Sequence, residues 1–291
     1  MNNLLFSSSK SGASLLQVTI NSFLFFLKDD LHIYILCSGW NKEFRKSFEF
    51  KLKKSCKITY IDIDDSIFDG INNTVGLPVA TLYRLCGIEM LPPEVHEILY
   101  TDIDVVCVSS EIQRFMNRIK DECKTVAAVP DAGIPDTYAS NVLGNHLMDY
   151  FNAGVLYLNV DYCRSINLWQ KSKELLIGNK LVAVDQDILN IIFKDNYYPL
   201  SHKYNYMSPQ VFKDLMFYRK KNVLSSFSPV LIHYDGPQKP WYYLCANPYK
   251  RLFTEIANDS NVELDYSLNR SRLYKLKLFY QYLKYRIVGK L

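Results

Sequence analysis

Short apolar runs alternate with segments of helical periodicity through the N-terminal half of this 291-residue chain. The apolar runs predict strands at residues 4–6, 32–37, 57–61, 98–100 and 125–129, and helical spacing predicts helices at 15–27, 41–53, 78–90 and 109–120. This alternation is typical of an α/β fold with a single Rossmann-like, mostly parallel sheet flanked by helices. In such sheets, ligands bind beyond the carboxyl ends of the strands.

The pattern becomes less regular after Pro130. Residues 131–144 are rich in turn-forming residues, 150–159 predict a strand, and 160–176 and 185–193 predict helices. Residues 199–228 are aromatic and loop-like, 230–233 predict a short strand, and 236–241 predict a tight turn. We expect one domain over residues 1–250 and a C-terminal tail over residues 251–291.

Composition narrows the class of protein. Apolar residues make up 48% of the chain, which is enough for a full hydrophobic core and excludes general disorder. The net charge of +4 is too small to indicate nucleic-acid binding by itself. Seven cysteines without metal-ligand spacing, and no recognisable secretory signal, indicate reduced thiols in a cytoplasmic protein. No segment has the length and apolarity needed to cross a membrane.

Two carboxylates, Asp102 and Asp104, interrupt the apolar stretch that surrounds residues 98–108. Burial of two unpaired carboxylates is costly, and a divalent cation such as Mn²⁺ or Mg²⁺ removes that cost. The alternative is a solvated turn between two strands. A second D-x-D, at Asp62 and Asp64, runs into a polar turn and favours that alternative for its own position.

Further polar motifs follow in a fixed order. Arg84 lies on the predicted helix before the acid pair, and F-N-A-G-V carries Asn152. D-Q-D-I-L-N carries Asp185 and Gln186, and H-Y-D-G-P-Q-K-P-W begins with His233. Each motif alone has an ordinary structural explanation, such as a helix cap, a buried histidine or a solvated turn.

Taken together, these motifs resemble those of the retaining glycosyltransferases of family 8. The likeness is strongest to the bacterial galactosyl- and glucosyltransferases of lipopolysaccharide and lipooligosaccharide assembly, and it covers roughly residues 4–249. The resemblance implies a GT-A fold, a UDP-hexose donor and a Mn²⁺ ion. It also implies transfer of galactose or glucose, with retention, to a hydroxyl of a glycan or glycolipid acceptor.

The resemblance assigns roles to residues of this sequence. Asp102, Asp104 and His233 match the metal ligands, and Gly236 and Lys239 match the turn that holds the diphosphate. Arg84, Asn152, Asp185 and Gln186 match residues around the transferred sugar, and Asp131 matches a position that faces the sugar or the acceptor. Asn152, Asp185 and Gln186 are the catalytic candidates. An amide is a poor nucleophile, so we favour attack on the leaving-group face over a covalent adduct.

The base-binding segment departs from the family. Ser9 stands where an acid is expected, Gly12 stands where an aromatic ring is expected, and Ser7 precedes them. Serine hydroxyls still suit uracil or ribose, but the stacking surface, worth about 1–3 kcal/mol per base, is missing. A non-catalytic sugar-nucleotide binder is therefore an alternative, and a nucleotidyltransferase is another.

The tail combines positive charge with aromatic and aliphatic residues. Residues 269–291 contain seven lysines and arginines and no acid. A basic, amphipathic helix of this kind predicts adsorption to an anionic membrane surface. The ordinary alternative is a C-terminal helix packed on the domain. The first interpretation places the protein on the inner face of the cytoplasmic membrane, where a lipid-linked acceptor would lie.

Overall fold

The computed structural model describes residues 2–27, 31–71, 78–144, 149–178, 181–194, 196–221, 227–264 and 272–289. Its strands are β1 (Asn2–Ser7), β2 (Leu31–Cys37), β3 (Lys57–Asp62), β4 (Glu97–Thr101), β5 (Val105–Cys107), β6 (Val126–Pro130), β7 (Phe151–Asn159), β8 (Tyr197–Pro199), β9 (Tyr206–Met207) and β10 (Leu231–His233). Its helices are α1 (Ala13–Phe26), α2 (Lys42–Phe50), α3 (Tyr83–Gly87), α4 (Glu111–Glu122), α5 (Asp136–Leu143), α6 (Val160–Ser165), α7 (Leu168–Gly178), α8 (Val184–Phe193), α9 (Ser208–Lys221), α10 (Lys250–Asp259) and α11 (Arg272–Gly289).

A mostly parallel sheet forms the centre of the protein, in the strand order β3-β2-β1-β4-β7-β6-β8. Strand β7 runs antiparallel to both of its neighbours, and the other pairs are parallel. Each of the five strands predicted from the N-terminal half is present. The α/β architecture with flanking helices is therefore confirmed.

Both faces of the sheet are covered by helices, because the strands are apolar on both sides. Along β1, Leu4 and Phe6 pack on the face covered by α1, α2 and α4, whereas Leu5 packs on the opposite face with α3, α6, α7 and α8. Successive strand residues point to opposite faces, so an uninterrupted apolar run requires this three-layer arrangement.

A second sheet, of three strands in the order β5-β10-β9, adds to the one predicted. Its strand β10 is antiparallel to β5 and parallel to β9. Ile232 of β10 packs with Val18 of α1 and Phe253 of α10 in a separate apolar cluster. This cluster fixes the small sheet, and with it the end of β10, against the body of the domain.

Two segments predicted as loops contain helices. Helix α5 lies within residues 131–144, with Pro135 as its N-cap residue and Gly144, at φ +69°, as its C-cap residue. Helix α9 lies within residues 199–228, with Pro209 in its first turn. Proline is tolerated in the first turn and glycine suits a C-terminal cap, so these residues are helix boundaries here, not turns.

Two predicted helices are shorter than expected. Within residues 78–90 only a 3-10 turn, Val79–Thr81, and the short helix α3 form. The helix predicted at 160–176 is divided into α6 and α7, because Asn167 adopts a left-handed backbone conformation with φ 50°. Asparagine is among the few residues that accept this conformation.

The C-terminal region contributes two helices. Helix α10 packs against α1, and α11 packs against α9 with Leu278 buried. Within the described ranges, the protein has no helix with the length and apolarity to cross a membrane. The boundary between domain and tail at residue 250 stays a prediction.

Candidate active site

Polar side chains from both sheets converge at one edge of the large sheet. The parallel strands β1 and β4 end there, and β7 begins there because it runs antiparallel to β4. The small sheet contributes His233, which pairs with Val105 of β5. Asp104 directly precedes Val105, and its carbonyl accepts a hydrogen bond from the Tyr234 N–H at 3.0 Å. Pairing of β5 with β10 therefore places Asp104 beside His233.

A bulge in β7 shapes this edge. The register between β6 and β7 shifts beside Val129, which faces Asn152. At the bulge, a Cβ atom on Gly154 would lie 2.2 Å from Cε1 of His233. Position 154 must therefore be glycine for the imidazole to pack against the strand. The close approach of His233 thus explains why the F-N-A-G-V motif has glycine at this position.

The carboxylate of Asp102 is held through one oxygen. Its Oδ1 accepts hydrogen bonds from Nη2 of Arg84 and from the Tyr100 hydroxyl, each at 2.7 Å. Arg84 is buried, and its Nη1 donates to the Ala153 carbonyl at 2.5 Å. Among the described residues none donates to Oδ2 of Asp102, so this oxygen is left for a ligand.

The second carboxylate, that of Asp104, is buried between two cationic groups. Its Oδ2 is in contact with Nζ of Lys239, and its Oδ1 lies 3.4 Å from Nε2 of His233. Burial acts to raise the pKa of this carboxyl, but the charges of Lys239 and His233 outweigh burial and hold the pKa well below its usual range.

The same cluster raises the pKa of both cations. Burial acts to lower the pKa of His233 and Lys239, and the Asp104 carboxylate more than offsets it in each case. Lys239 is held further by its hydrogen bond to the Tyr234 carbonyl, at 2.8 Å. The three side chains therefore form a mutually stabilised ion cluster at the edge of the sheet.

Asp102, Asp104 and His233 fit a divalent cation. Each offers one ligand atom, and these atoms lie within 4.8 Å of one another. Two carboxylates and an imidazole suit Mn²⁺, which accepts nitrogen more readily than Mg²⁺ does. A bound cation would balance the charge of Asp104, and the ammonium group of Lys239 would then be available to an anionic ligand.

Next to the metal-ligand cluster, three side chains form a closed hydrogen-bond network. Oδ2 of Asp131 accepts from the amide groups of Asn152 and Gln186, each at 3.0 Å. Oε1 of Gln186 accepts from Nδ2 of Asn152 at 3.1 Å and from the Ala153 N–H at 2.9 Å. These hydrogen bonds fix the orientation of both amide groups.

Asp185 opens helix α8 and is paired with the same arginine that holds Asp102. Its Oδ2 lies 3.1 Å from Nε of Arg84. Burial raises the pKa of the Asp185 carboxyl to about 6, although Arg84 acts in the opposite direction. Arg84 therefore bridges two carboxylates, one on the metal side and one on the sugar side of the predicted site.

The nearby Asp187 has a structural role. Its oxygens accept from the hydroxyls of Tyr138 and Tyr150, at 2.6 and 2.5 Å, and from the N–H groups of Val182 and Ala183. Asp187 is fully buried, and its hydrogen bonds connect α8 to α5 and to the start of β7.

The predicted base-binding segment is formed by small hydroxyl residues. Ser7 is buried, and the Ser9 and Ser11 hydroxyls lie 2.9 Å apart. A Cβ atom on Gly12 would come within 2.8 Å of Cδ1 of Ile103, so Ile103 fills the space beside this glycine. A larger side chain at position 12 would require Ile103 to move.

The two other turn predictions agree with the structure. Gly236 has φ +70°, which favours glycine, and lies three residues before Lys239. Asp62 of the second D-x-D contacts Arg45, and Asp64 accepts from the Ser66 N–H at 2.9 Å. The interpretation of that motif as a turn at a strand end is confirmed.

Every residue that the sequence assigns to the metal or the sugar therefore lies in this one region, and their individual roles stay predictions. Sequence reasoning missed Tyr100 and Asn205. Tyr100 bonds Asp102, and Asn205 is buried between His233 and Asn152. The position of Tyr100 two residues before Asp102 gives a weak signal, because both side chains lie on the same face of the strand. Asn205 has no sequence signal.

A cavity of about 430 Å³ opens beside Asp131. Its walls come from the loop after β6, from α5, from α9 and from Tyr150. The lining includes the apolar residues Ile134 and Leu143 and the charged residues Asp136 and Lys213. Mixed apolar and polar walls of this kind suit a hydroxyl-rich ligand.

Two relatives of this chain are lipopolysaccharide glycosyltransferases. The chain is 24% identical over 281 residues to the lipopolysaccharide 1,2-glucosyltransferase of Escherichia coli, covering 94% of this chain and 80% of the relative. It is 24% identical over 268 residues to the lipopolysaccharide 1,3-galactosyltransferase of Salmonella typhimurium, covering 89% of this chain and 76% of the relative.

Among solved structures, the fold is similar to that of the galactosyltransferase LgtC in complex with donor and acceptor sugar analogs. The TM-score is 0.75 at 22% identity, over 94% of this chain and 99% of LgtC. This likeness confirms the predicted GT-A fold. Residues 3–245 match the sequence model of glycosyl transferase family 8. The chain therefore belongs to glycosyl transferase family 8.

Proposed function

We propose that this glycosyltransferase moves galactose or glucose from a UDP-hexose to a hydroxyl of a glycan or glycolipid acceptor, with retention, in cell-surface polysaccharide synthesis. The observation that carries the proposal is the position of Asp102, Asp104 and His233, whose ligand atoms lie within 4.8 Å of one another beside the Asp131 network. The names of the relatives, a glucosyltransferase and a galactosyltransferase, support both sugars.

The residues of the cluster act on the leaving group. A bound Mn²⁺ supplies positive charge that stabilises the diphosphate as it leaves. Lys239, next to Asp104, holds a proton over the whole working pH range because its pKa is raised above the ordinary value. Its ammonium group and the backbone of the Gly236 turn neutralise the phosphate oxygens that gain charge as the glycosidic bond breaks.

The sugar-side residues support attack on the leaving-group face. Asp185 is paired with Arg84 at 3.1 Å, and the Gln186 amide is held by Asp131 and Ala153. Neither side chain is a ready nucleophile, because the carboxylate is buried in an ion pair and the amide is weakly basic. The acceptor hydroxyl therefore attacks on the face from which the diphosphate leaves, and a phosphate oxygen takes its proton.

The acceptor lies on the Asp131 side of the cleft in this proposal. Asp131 belongs both to the amide network and to the wall of the 430 Å³ cavity, so the cavity continues the sugar site. A glycan residue of the acceptor would place its hydroxyls against Asp136 and its apolar ring face against Leu143.

Helix α11 brings the acceptor within reach by binding the membrane. Leu273, Leu276, Tyr280 and Leu283 recur at helical spacing on one exposed face, while Leu278 packs inward. Lysines flank this exposed face. An exposed apolar stripe with basic margins suits an anionic lipid surface, and we place the protein on the inner face of the cytoplasmic membrane.

A panel of UDP-sugars incubated with Mn²⁺ tests the donor. We expect release of UDP from UDP-galactose or UDP-glucose. We expect no release of pyrophosphate, the leaving group of nucleotidyl transfer, when a nucleoside triphosphate and a sugar phosphate are supplied instead. Proton NMR of the product linkage tests retention, and an inverted anomer would contradict the mechanism.

The missing aromatic ring at Gly12 favours one alternative, a sugar-nucleotide binder without transferase activity. Ile103 fills the space at this position, and the Ser9 hydroxyl replaces an acid. UDP-sugar binding without any Mn²⁺-dependent UDP release would favour that alternative.

A further inference from the structure

We propose that Asn205 is a positioning residue that fixes the ring of His233 for metal binding and joins the metal ligands to the sugar-holding amides. The proposal rests on the function proposed above, because it concerns the same metal site. Asn205 lies in the bend between a 3-10 turn, His202–Tyr204, and β9. Its side chain is fully buried.

Asn205 makes one hydrogen bond to each half of the site. Its Oδ1 lies 2.9 Å from Nδ1 of His233, and its Nδ2 donates to Oδ1 of Asn152 at 2.9 Å. Asn152 in turn donates from Nδ2 to Asp131 and Gln186. A continuous chain of hydrogen bonds therefore runs from the metal-ligating histidine to the predicted sugar site.

One donor of known direction, the Gly154 N–H, fixes the orientation of the Asn152 and Asn205 amides and of the His233 ring. The Gly154 N–H donates at 2.9 Å to the same Oδ1 of Asn152. A backbone N–H can only donate a hydrogen bond and never accepts one. That atom of Asn152 must be its carbonyl oxygen, so Asn205 must present its NH₂ group to it. The oxygen of Asn205 then faces His233, and Nδ1 of His233 must carry the proton.

This assignment leaves the correct atom of His233 for the metal. With the proton on Nδ1, the lone pair of the neutral ring is on Nε2, which lies 3.4 Å from Asp104 Oδ1. Gly154 lies close to Cε1 of the ring, so the imidazole is held at that carbon by the strand and at Nδ1 by Asn205. Partners of this kind typically alter metal affinity 10- to 100-fold when removed.

Two substitutions separate the two hydrogen bonds. Asn205→Ala removes both, and we expect the dissociation constant for Mn²⁺, measured by electron paramagnetic resonance, to rise about 10- to 100-fold. Asn205→Asp keeps an acceptor for His233 but loses the donor to Asn152. We expect Asn205→Asp to bind Mn²⁺ within about threefold of wild type while its KM for the UDP-sugar rises about tenfold or more.

A matched control tests for general loss of structure. Asn21→Ala removes another buried amide, whose oxygen accepts from the Lys53 N–H at 2.8 Å and whose NH₂ group donates to the Lys51 carbonyl. This variant should bind Mn²⁺ as the wild type does. Equal Mn²⁺ affinity in wild type and Asn205→Ala would overturn the proposal, as would an Asn205→Asp variant that loses Mn²⁺ as severely as Asn205→Ala.

A second measurement does not depend on the metal or on activity. Long-range ¹H–¹⁵N NMR of the metal-free protein at alkaline pH reports the tautomer of His233. We expect the Nδ1–H form in wild type and in Asn21→Ala, and a mixture in Asn205→Ala. The Nε2–H form in wild type would overturn the proposal. Failure of wild type to bind Mn²⁺, with the Nδ1–H tautomer present, would contradict the proposed function instead.

Discussion

Gly154 leaves room for the imidazole of His233 at the bulge in β7. A Cβ atom there would lie 2.2 Å from Cε1 of the ring, closer than packed carbon atoms approach. We expect Gly154→Ala to move His233 away from Asp104 and to weaken Mn²⁺ binding about 10-fold or more, measured by electron paramagnetic resonance.

A double-mutant cycle is the control for this prediction. If the methyl group acts only through the histidine, Gly154→Ala will change Mn²⁺ binding strongly in wild type and little in a His233→Ala background. Equal losses in the two backgrounds would contradict the explanation, because they would point to a general distortion of β7.

The buried carboxyl of Asp185 gives a prediction for pH. Burial raises its pKa to about 6, above the value in an unfolded chain. The folded state therefore binds this proton more tightly, and the resulting stabilisation is full below about pH 4 and is lost as pH rises through about 6. The two pKa values differ by about two pH units, which corresponds to about 3 kcal/mol.

We expect the free energy of unfolding of wild type, relative to that of Asp185→Asn, to fall by about 3 kcal/mol between pH 4 and pH 7. Urea denaturation of both proteins at several pH values measures this difference. Parallel curves across the range would show that the buried carboxyl has an ordinary pKa.

Single residues differ in how far the sequence predicts them. Asp102, Asp104 and His233 stand in motifs that specify metal ligands, and the structure brings all three together. Tyr100 and Asn205 support these ligands through ordinary side-chain hydrogen bonds. Asn205 reaches His233 only because β9 pairs with β10, and pairing between distant segments is not encoded in local sequence.

At the scale of elements, proline and glycine explain the errors of prediction. Pro135 and Gly144 delimit α5, and Pro209 lies in the first turn of α9. The same residue types form turns or helix ends depending on their surroundings, so short helices between them are easily mistaken for loops. All strands of the large sheet except β8 were predictable, because uninterrupted apolar runs are typical of strands that are buried on both faces.

The outward face of α11 gives a prediction about membrane binding. Leu276 is 58% exposed and Leu283 is 43% exposed, and both lie on the apolar stripe. Transfer of a leucine side chain out of water contributes about 1.5–3 kcal/mol. We expect the double substitution Leu276→Ser and Leu283→Ser to reduce binding to vesicles containing anionic lipid at least tenfold, measured by co-sedimentation.

Ile177 on α7 provides the control, because it is 75% exposed but lies outside the stripe. Ile177→Ser should bind vesicles as wild type does, and deletion of residues 269–291 should abolish binding while UDP release continues. Unchanged sedimentation of the double variant would contradict a role for α11. If the lysines of α11 contribute to vesicle binding by electrostatic attraction, binding to anionic vesicles will weaken as the salt concentration rises.

At the scale of the whole molecule, the fold explains why the motifs meet. The parallel strands β1 and β4 end at one edge of the sheet, and β7 begins there because it runs antiparallel to β4. The alternation of strands and helices predicts ligand binding at this edge, because it lies beyond the carboxyl ends of the parallel strands. Strand β10 was predicted at residues 230–233, but its sheet was not, because β9 is only two residues long and its pairing with β10 is not encoded in local sequence.

The proposed base-binding segment is the part of the site that differs most from the pattern expected for the family. The proposed metal site has all three of its candidate ligands, Asp102, Asp104 and His233, whereas the proposed base site has serines and Gly12 beside Ile103. A hydroxyl-lined site without a stacking ring binds the base less tightly, by about 1–3 kcal/mol. We expect the metal–diphosphate contacts to provide a correspondingly larger share of donor affinity.

The most direct test of the central proposal is the release of UDP from UDP-galactose and UDP-glucose by wild type and by Asp104→Asn, with and without Mn²⁺. Asparagine preserves the size of the side chain but removes the charge that pairs with His233 and Lys239. We predict Mn²⁺-dependent release by wild type and a loss of at least 100-fold in Asp104→Asn. Equal release by the two proteins, or release by wild type that is independent of Mn²⁺, would contradict the metal-dependent transferase proposed here.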